Sequence, residues 1–218
     1  MIGHRILCLL LGYVFGLFQT GYFVGKMMNT DIRTKGSGNS GTTNALRVLG
    51  PKAGVLVFFG DFNKAFILCM LIRLYYGSRL PEAALMLMLY GGFGVILGHN
   101  YPCYLNFKGG KGIAATAGIL CAFLDWRIFV LCLLAFVLPI AVTRYVSLGS
   151  LTVEAVLLLL WILWGRSLTP APSEACYTEA TVVMLCIAAL AYWRHRANIG
   201  RLLHGNENKL SFHGKKEA

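Results

Sequence analysis

The sequence predicts an all-α integral membrane protein whose residues 1–218 form one domain. Its 218 residues are 57% hydrophobic and only 13% charged, whereas soluble domains carry charge on about a quarter of their residues. Apolar runs long enough to cross a bilayer recur along the chain. The formal net charge of +11 fits basic cytoplasmic loops and an anionic lipid or substrate. Nucleic acid is not an expected partner, because no run of five basic residues occurs and the aromatic residues lie in apolar segments.

Seven apolar segments are predicted to be transmembrane helices, because crossing the hydrocarbon core takes about 20 helical residues. They are Ile6–Gly25, Ala53–Tyr76, Leu80–Gly98, Gly112–Leu124, Ile128–Thr143, Gly149–Gly165 and Cys176–Trp193. The fourth begins among glycines, and its length corresponds to only about 20 Å of helix. We expect this short helix to end inside the protein, since lipid cannot satisfy free backbone groups.

The basic residues predict the orientation of the chain. With seven helices, fourteen Lys and Arg residues fall on one side of the membrane and five on the other. The positive-inside rule then places the N-terminus outside and the C-terminus in the cytoplasm. Every glycine-rich polar stretch falls on the cytoplasmic face in this topology.

The first polar stretch is GSGNSGTTNALRVLG, Gly36 to Gly50. Its glycines permit positive φ, and a turn of this composition can point several backbone N–H groups at an anion. A helix predicted to start near Thr43 would direct its positive end at the same place, and Arg47 could add a bidentate contact. A tight turn followed by a capped helix explains the same residues. The substrate-binding candidates here are Gly36, Ser37, Gly38, Asn39, Thr43, Asn44 and Arg47.

The second stretch is GHNYPCYLNFKGGKGIAAT, Gly98 to Thr116. Lysines beside a glycine run that precedes a helix favour the binding of a phosphate, although the spacing is not that of a Walker A loop. The candidates are Lys108, Gly109, Gly110, Lys111 and Gly112. His99 is either a structural residue at a helix end or part of the site.

The third stretch is RHRANIGRLLHGNENKL, Arg194 to Leu210. On a helix, His195 and Asn198 share a face. A basic amphipathic tail lying on the headgroups is the alternative. Two smaller features accompany the three stretches. Asp61 and Lys64, three residues apart in the second segment, are expected to pair, in a structural or a functional role. Ser147, in RYVSLGS, either reaches the site or caps the sixth helix.

Several catalytic arrangements are missing from the sequence. It has no paired carboxylates suited to Mg²⁺, no Cys/His cluster suited to zinc and no G-x-S-x-G elbow. A histidine followed five positions later by aspartate is also absent. We therefore predict neither a metal nor a cofactor.

Together, the three stretches resemble the three motifs of the bacterial acyl-phosphate-dependent glycerol-3-phosphate acyltransferase family, in the same order and over nearly the whole chain. RYVSLGS and the Asp61–Lys64 pair are also similar to that family. The departures are small: Gly200 replaces a larger polar residue, and Ala65 replaces a glycine. The resemblance implies site roles for Ser37, Asn39, Arg47, Lys111, Ser147, His195 and Asn198, of which Ser37, Arg47, Lys111, His195 and Asn198 are the catalytic candidates.

The implied reaction is acyl transfer from a fatty acyl phosphate to the 1-hydroxyl of glycerol 3-phosphate, the first step of phospholipid synthesis. The products are lysophosphatidic acid and phosphate. The implied setting is a multi-pass protein of the bacterial cytoplasmic (inner) membrane, in contact with membrane lipid, whose active site faces the cytoplasm. An enzyme that produces acyl phosphate is a possible functional partner.

The residues agree with this chemistry, because an activated acyl phosphate needs positioning and charge stabilisation more than an enzyme nucleophile. Either His195 or the leaving phosphate accepts the hydroxyl proton, and the scarcity of carboxylates favours the phosphate. Which glycine loop binds which phosphate stays open. The competing interpretation is a transporter of a phosphorylated metabolite, which also needs basic glycine loops. The clustering of the polar stretches on one face argues against it.

Overall fold

The computed structural model describes residues 1–210, and the last eight residues of the predicted domain, 211–218, lie outside the described residues. Residues 1–210 form ten α-helices and two short 3-10 helices, without a strand, so the all-α prediction is confirmed. The α-helices are α1 Ile2–Gly16, α2 Thr20–Met27, α3 Thr42–Leu49, α4 Pro51–Gly77, α5 Pro81–Asn100, α6 Ile113–Ala122, α7 Trp126–Thr143, α8 Val146–Trp164, α9 Glu174–Arg194 and α10 Arg196–Leu203.

Six helical spans in the described chain are long and apolar enough to cross a membrane. They are Ile2–Met27, which combines α1 and α2, and the helices α4, α5, α7, α8 and α9. The fourth predicted segment corresponds to α6, which has only 10 residues. At 1.5 Å per residue it extends about 15 Å, half the hydrocarbon thickness.

The first predicted segment is not one continuous helix. The α-helix stops at Gly16 and resumes at Thr20, and Leu17–Gln19 lie between the two parts. The break is stable because Lys64 Nζ donates hydrogen bonds to the freed carbonyls of Phe18, at 2.7 Å, and Gly16, at 3.4 Å. Hydropathy gives no indication of such a break, because the break depends on a hydrogen-bond partner from another helix.

The helix ends follow local sequence signals. Pro51 and Pro81 stand in the first turns of α4 and α5, where a missing N–H costs nothing. Asp125 caps α7 by accepting the N–H groups of the next turn, and Ser173 caps α9.

Helix α5 is the centre of the bundle and packs against α1, α4 and α9. Its contact with α1 is very close because glycines face each other. A side chain at Gly12 would overlap the backbone around Gly94, and one at Gly16 would overlap the backbone around Gly98. Contact between small residues is a common way for membrane helices to pack. This packing anchors the end of α5 from which the second polar stretch begins.

Candidate active site

The first polar stretch is held from within by one asparagine. Asn44, in the first turn of α3, is 1% exposed. Its Nδ2 donates to the carbonyls of Ile32, at 2.8 Å, and Lys35, at 3.1 Å. Its Oδ1 accepts the N–H of Ser37 at 2.8 Å. Asn44 was predicted to bind substrate, but all these contacts go to the loop, so we assign it a scaffolding role.

The rest of this loop presents small and cationic groups. Gly36 and Gly38 have φ of 60° and 70°, the left-handed region that favours glycine. Asn39 Oδ1 accepts the N–H of Gly41 at 2.8 Å, so that oxygen is used locally. Ser37 is exposed, while Thr43 and Arg47 are half-buried. The helix predicted near Thr43 is present as α3.

Arg47 is a cation without a protein partner in the described chain. Its guanidinium makes neither a hydrogen bond nor an ion pair with any of residues 1–210. A half-buried guanidinium of this kind keeps its donor fork available for an anion.

The second polar stretch corrects one expectation about its glycine amides. Gly109 N–H donates to Asn100 O at 3.1 Å, and Gly110 N–H donates to His99 O at 3.0 Å. Their carbonyls accept hydrogen bonds from Arg194 Nη2, at 3.0 Å and 2.8 Å. The amides of Gly109 and Gly110 were expected to face a phosphate, but both are consumed in holding the loop, as a buried backbone requires.

The backbone N–H groups that stay open come next in the chain. Those of Lys111 and Gly112 have no acceptor among residues 1–210, and α6 begins directly after them. Gly112 has φ of 89°, which turns the chain sharply into the helix. The open amides and the positive helix end suit an anion. Lys108, also predicted as a binding residue, is exposed on the loop.

The ammonium of Lys111 connects the second stretch to the third. Lys111 Nζ donates a hydrogen bond to Asn198 Oδ1. Asn198 Nδ2 in turn donates to Glu207 Oε1 at 2.7 Å, and Arg201 Nε donates to Glu207 Oε2 at 2.8 Å. Glu207 was not among the residues predicted from the sequence. The sequence marks it only as the one acidic residue of the third polar stretch, Arg194 to Leu210.

Burial lowers the pKa of Lys111 to about 8. Glu207 opposes this shift, while Arg201, Arg194 and Arg47 reinforce it. The effect of Arg47 shows that the first loop contributes its charge to the same region as the second. The region therefore concentrates positive charge around one carboxylate, an arrangement that suits an anionic ligand.

His195 is held in a defined tautomer. It is 2% exposed, and its Nδ1 lies 2.8 Å from the carbonyl oxygen of Ala191. A carbonyl only accepts, so Nδ1 carries the proton and Nε2 has a free lone pair. Burial, followed by the cation of Lys111, lowers the pKa of His195 to about 4. The imidazole is neutral at physiological pH and can accept a hydrogen bond through Nε2.

Ser147 and Asn100 are among the buried polar side chains that lack hydrogen-bond partners in the described part of the chain. Ser147 is 6% exposed, and its Oγ has no hydrogen-bond partner. The N-cap of α8 is Tyr145, so Ser147 does not cap that helix. Asn100 is fully buried, and neither its amide nitrogen nor its amide oxygen is paired. Asn100 Oδ1 would lie 3.3 Å from a Cβ at Gly112, which places it beside the open amides. Asn100 was not among the residues predicted from the sequence.

The expected Asp61–Lys64 pair is present, with Lys64 Nζ 2.9 Å from Asp61 Oδ1. The same ammonium lies 2.9 Å from His99 Nδ1. The Nε2 edge of the imidazole packs against the glycine loop, so closely that a side chain at Gly110 would overlap it. His99 and the ion pair thus support the loop from below.

The segment after α10 is held against Arg144 through the backbone of Leu210. Leu210 N–H donates to Arg144 O at 2.7 Å, and Arg144 Nη2 donates to Leu210 O at 3.1 Å. This contact places the segment that carries Glu207 over the loop before α8. All three polar stretches and the RYVSLGS turn therefore meet at one end of the helix bundle.

The fold and the site define a polytopic membrane protein with a cationic, glycine-lined site at one end of its helices. The family model for glycerol-3-phosphate acyltransferase matches residues 6–205. A glycerol-3-phosphate acyltransferase of Clostridioides difficile (strain 630) is 36% identical over 207 residues, which cover 94% of this chain and 95% of that protein. The chain belongs to the glycerol-3-phosphate acyltransferase family.

Solved structures agree with this assignment. The crystal structure of PlsY (YgiH), an integral membrane glycerol 3-phosphate acyltransferase, in its glycerol 3-phosphate form has a TM-score of 0.81 and 33% identity, covering 95% of this chain and 96% of that one. The lysophosphatidic acid form of PlsY has a TM-score of 0.79 and 32% identity over the same shares of the two chains. The predicted family resemblance is confirmed, and this protein is an integral membrane acyltransferase of glycerol 3-phosphate.

Proposed function

We propose that the acyl donor is a fatty acyl phosphate and that its acyl group goes to the 1-hydroxyl of glycerol 3-phosphate. The observation that carries the proposal is the half-buried ammonium of Lys111, which donates a hydrogen bond to Asn198. Its charge lowers the pKa of His195, and the charge of Arg47 lowers the pKa of Lys111 itself. This cluster can receive two phosphate-bearing substrates. The glycerol 3-phosphate and lysophosphatidic acid forms of PlsY support the acceptor and the product.

The reaction exchanges one acyl–oxygen bond for another. The 1-hydroxyl oxygen attacks the acyl carbon, its new C–O ester bond forms, and the bond from that carbon to the phosphate oxygen breaks. The hydroxyl proton leaves with the phosphate. Lys111 and the open amides of Lys111 and Gly112 stabilise the charge that develops on the phosphoryl and acyl oxygens.

The protonation state of His195 favours the phosphate as the final proton acceptor. An imidazole whose pKa is about 4 is a weaker base than a phosphate group, whose second pKa is about 6. His195 Nε2 instead accepts a hydrogen bond from the hydroxyl and orients it for attack. Asn198 fixes the neighbouring ammonium in the same step.

We assign one phosphate to Lys111 and the start of α6, and the other to Arg47 with the Ser37–Asn39 turn. Ser147 and Asn100 complete the wall, since each is buried with a free polar group. In this assignment Gly36, Gly38, Gly109 and Gly110 shape the loops, and Thr43 lies at the helix end that faces the second phosphate.

We further propose the setting of the reaction. Residues 1–218 make one membrane acyltransferase domain with seven transmembrane helices, in which α6 is the short fourth one. The unequal division of basic residues, fourteen against five, supports an outside N-terminus and a cytoplasmic C-terminus. The site then faces the cytoplasm at the bacterial inner membrane, where an enzyme that produces acyl phosphate can supply the donor.

The donor is tested with purified protein in nanodiscs and radiolabelled glycerol 3-phosphate. Palmitoyl phosphate, palmitoyl coenzyme A and palmitoyl-loaded acyl carrier protein are supplied as donors in separate reactions. We expect lysophosphatidic acid from palmitoyl phosphate alone. Formation from either thioester at a comparable rate would overturn the donor assignment. Glycerol 3-phosphate flux into vesicles without turnover would instead indicate a transporter.

A further inference from the structure

The two substrate loops are joined by one buried side chain at the break between α1 and α2. Gln19 is 1% exposed. Its Oε1 accepts a hydrogen bond from Ser40 Oγ of the first loop at 3.2 Å. Its Nε2 donates to His99 O, at the start of the second loop, at 3.0 Å. A single amide therefore spans the gap between two loops that are about 60 residues apart in sequence.

The contact on the second loop reaches the glycine run directly. The carbonyl of His99 that binds Gln19 also accepts the N–H of Gly110 at 3.0 Å. Lys111, the central cation of the site, is the next residue. A shift of Gln19 therefore acts on the backbone next to Lys111.

The position of Gln19 is itself fixed by the buried ion pair. Lys64 Nζ donates to Phe18 O, directly before Gln19, at 2.7 Å, and lies 2.9 Å from both Asp61 Oδ1 and His99 Nδ1. The ammonium thus holds the helix break against the same histidine whose carbonyl Gln19 binds. Buried charges are retained where their hydrogen bonds are complete, as they are around Lys64.

A reaction between two bound substrates depends on the distance between their sites. A displacement of about 1 Å away from the reactive geometry can lower the rate by about 100-fold. Helices α3 and α6, which follow the two loops, both pack against α4, but no hydrogen bond within residues 1–210 joins one loop directly to the other. The amide of Gln19 supplies that link.

We propose that Gln19 is a positioning residue that sets the separation of the two substrate loops, and so aligns the glycerol hydroxyl with the acyl carbon. This inference rests on the proposed two-substrate reaction. It predicts a specific kinetic signature. Each loop still binds its own substrate when the Gln19 hydrogen bonds are lost, so kcat falls while both KM values stay unchanged.

The test removes the link from each side. Gln19→Met keeps the length of the side chain and removes its hydrogen bonds with Ser40 and His99. It also removes the hydrogen bonds that Gln19 Nε2 donates to the carbonyls of Gly16, at 3.2 Å, and Gly98, at 3.4 Å. We expect kcat to fall by about 10- to 100-fold, with both KM values within about twofold of wild type. Ser40→Ala removes only the contact with the first loop and should lower kcat by a smaller factor. Because both changes break one link, the double variant should be no slower than Gln19→Met alone.

Thr181→Val is the matched control. Thr181 Oγ1 accepts a hydrogen bond from Trp161 Nε1 at 2.9 Å. Thr181 lies in α9, 14 positions before His195, which corresponds to about 21 Å along the helix. The substitution removes one interhelical hydrogen bond from a part of the core that is far from both loops. We expect a lower melting temperature and an unchanged kcat.

The outcomes separate this inference from the proposed function. If the wild type forms no lysophosphatidic acid from palmitoyl phosphate, the proposed function fails. If the wild type is active and folded Gln19→Met has normal kcat, or loses activity through KM alone, the positioning role is wrong. Should Gln19→Met not fold, Ser40→Ala decides, and a wild-type kcat in that variant overturns the inference.

Discussion

The pH dependence of turnover should report the charge of Lys111. Burial lowers the pKa of this ammonium to about 8, from an ordinary value near 10.5. About nine-tenths of the enzyme carries the charge at pH 7 and about one-tenth at pH 9. If the ammonium is required, kcat/KM for glycerol 3-phosphate falls about tenfold between these two pH values. The loss comes about two and a half pH units below that of an exposed lysine.

Two variants isolate the cause of this alkaline loss. A guanidinium stays protonated throughout this range, so the residual kcat/KM of Lys111→Arg should not decline between pH 7 and 9. Lys111→Met gives the activity without a cation. The kcat profile should turn down at higher pH than the kcat/KM profile, since a bound phosphate stabilises the ammonium. A wild-type kcat/KM that is level from pH 7 to 9, or an equal decline in Lys111→Arg, would refute this reasoning.

Three other predictions use the same assay. Because its pKa is about 4, His195 stays neutral above pH 5, so the profile between pH 5 and 7 should keep its shape in His195→Gln while kcat falls. A limb near pH 6.5 that disappears in this variant would contradict the neutral state assigned to His195. Glu207→Gln removes the carboxylate that raises the pKa of Lys111, so the alkaline limb should move to lower pH, and a shift to higher pH would disprove the electrostatic account. Gly110→Ala forces a methyl group against a buried imidazole and should lower kcat/KM by at least about tenfold. In Gly200→Ala the added methyl group meets no atom within 4 Å, so this variant should keep full activity and raise the free energy of unfolding by up to about 1 kcal/mol. Equal activity of the two alanine variants would show that the loop around Gly110 tolerates the methyl group.

The sequence predicts the helices well because their ends carry local signals. Pro51, Pro81 and Ser173 begin helices within three residues of the predicted ends. Each observed span overlaps its predicted apolar segment and is two to six residues longer. The shortness of the fourth segment was also predicted, since Gly112 and the length of the apolar run lie in one stretch of sequence.

The break at Leu17–Gln19 could not be predicted in the same way. Its freed carbonyls are satisfied by Lys64, which is about 45 residues away, and the run around the break is as apolar as a continuous helix. Partners that are distant in sequence leave no periodic signal.

The site was predicted by residue type more accurately than by individual role. Lys111, Asn198 and His195 do come together, and Arg47 affects the same region. The amides of Gly109 and Gly110 were assigned to a phosphate because glycine permits that geometry. Composition cannot show that neighbouring carbonyls already accept those N–H groups. Glu207 and Asn100 were missed for the same reason, since their importance lies in burial and partners.

The most direct test of the account measures two products in one reaction. Purified enzyme receives palmitoyl phosphate and glycerol 3-phosphate, without coenzyme A or added metal, and both phosphate and lysophosphatidic acid are quantified over time. We expect one phosphate to be released for each lysophosphatidic acid formed, and both products to be lost in Lys111→Ala. Phosphate release without lysophosphatidic acid, or full activity of folded Lys111→Ala, would contradict it.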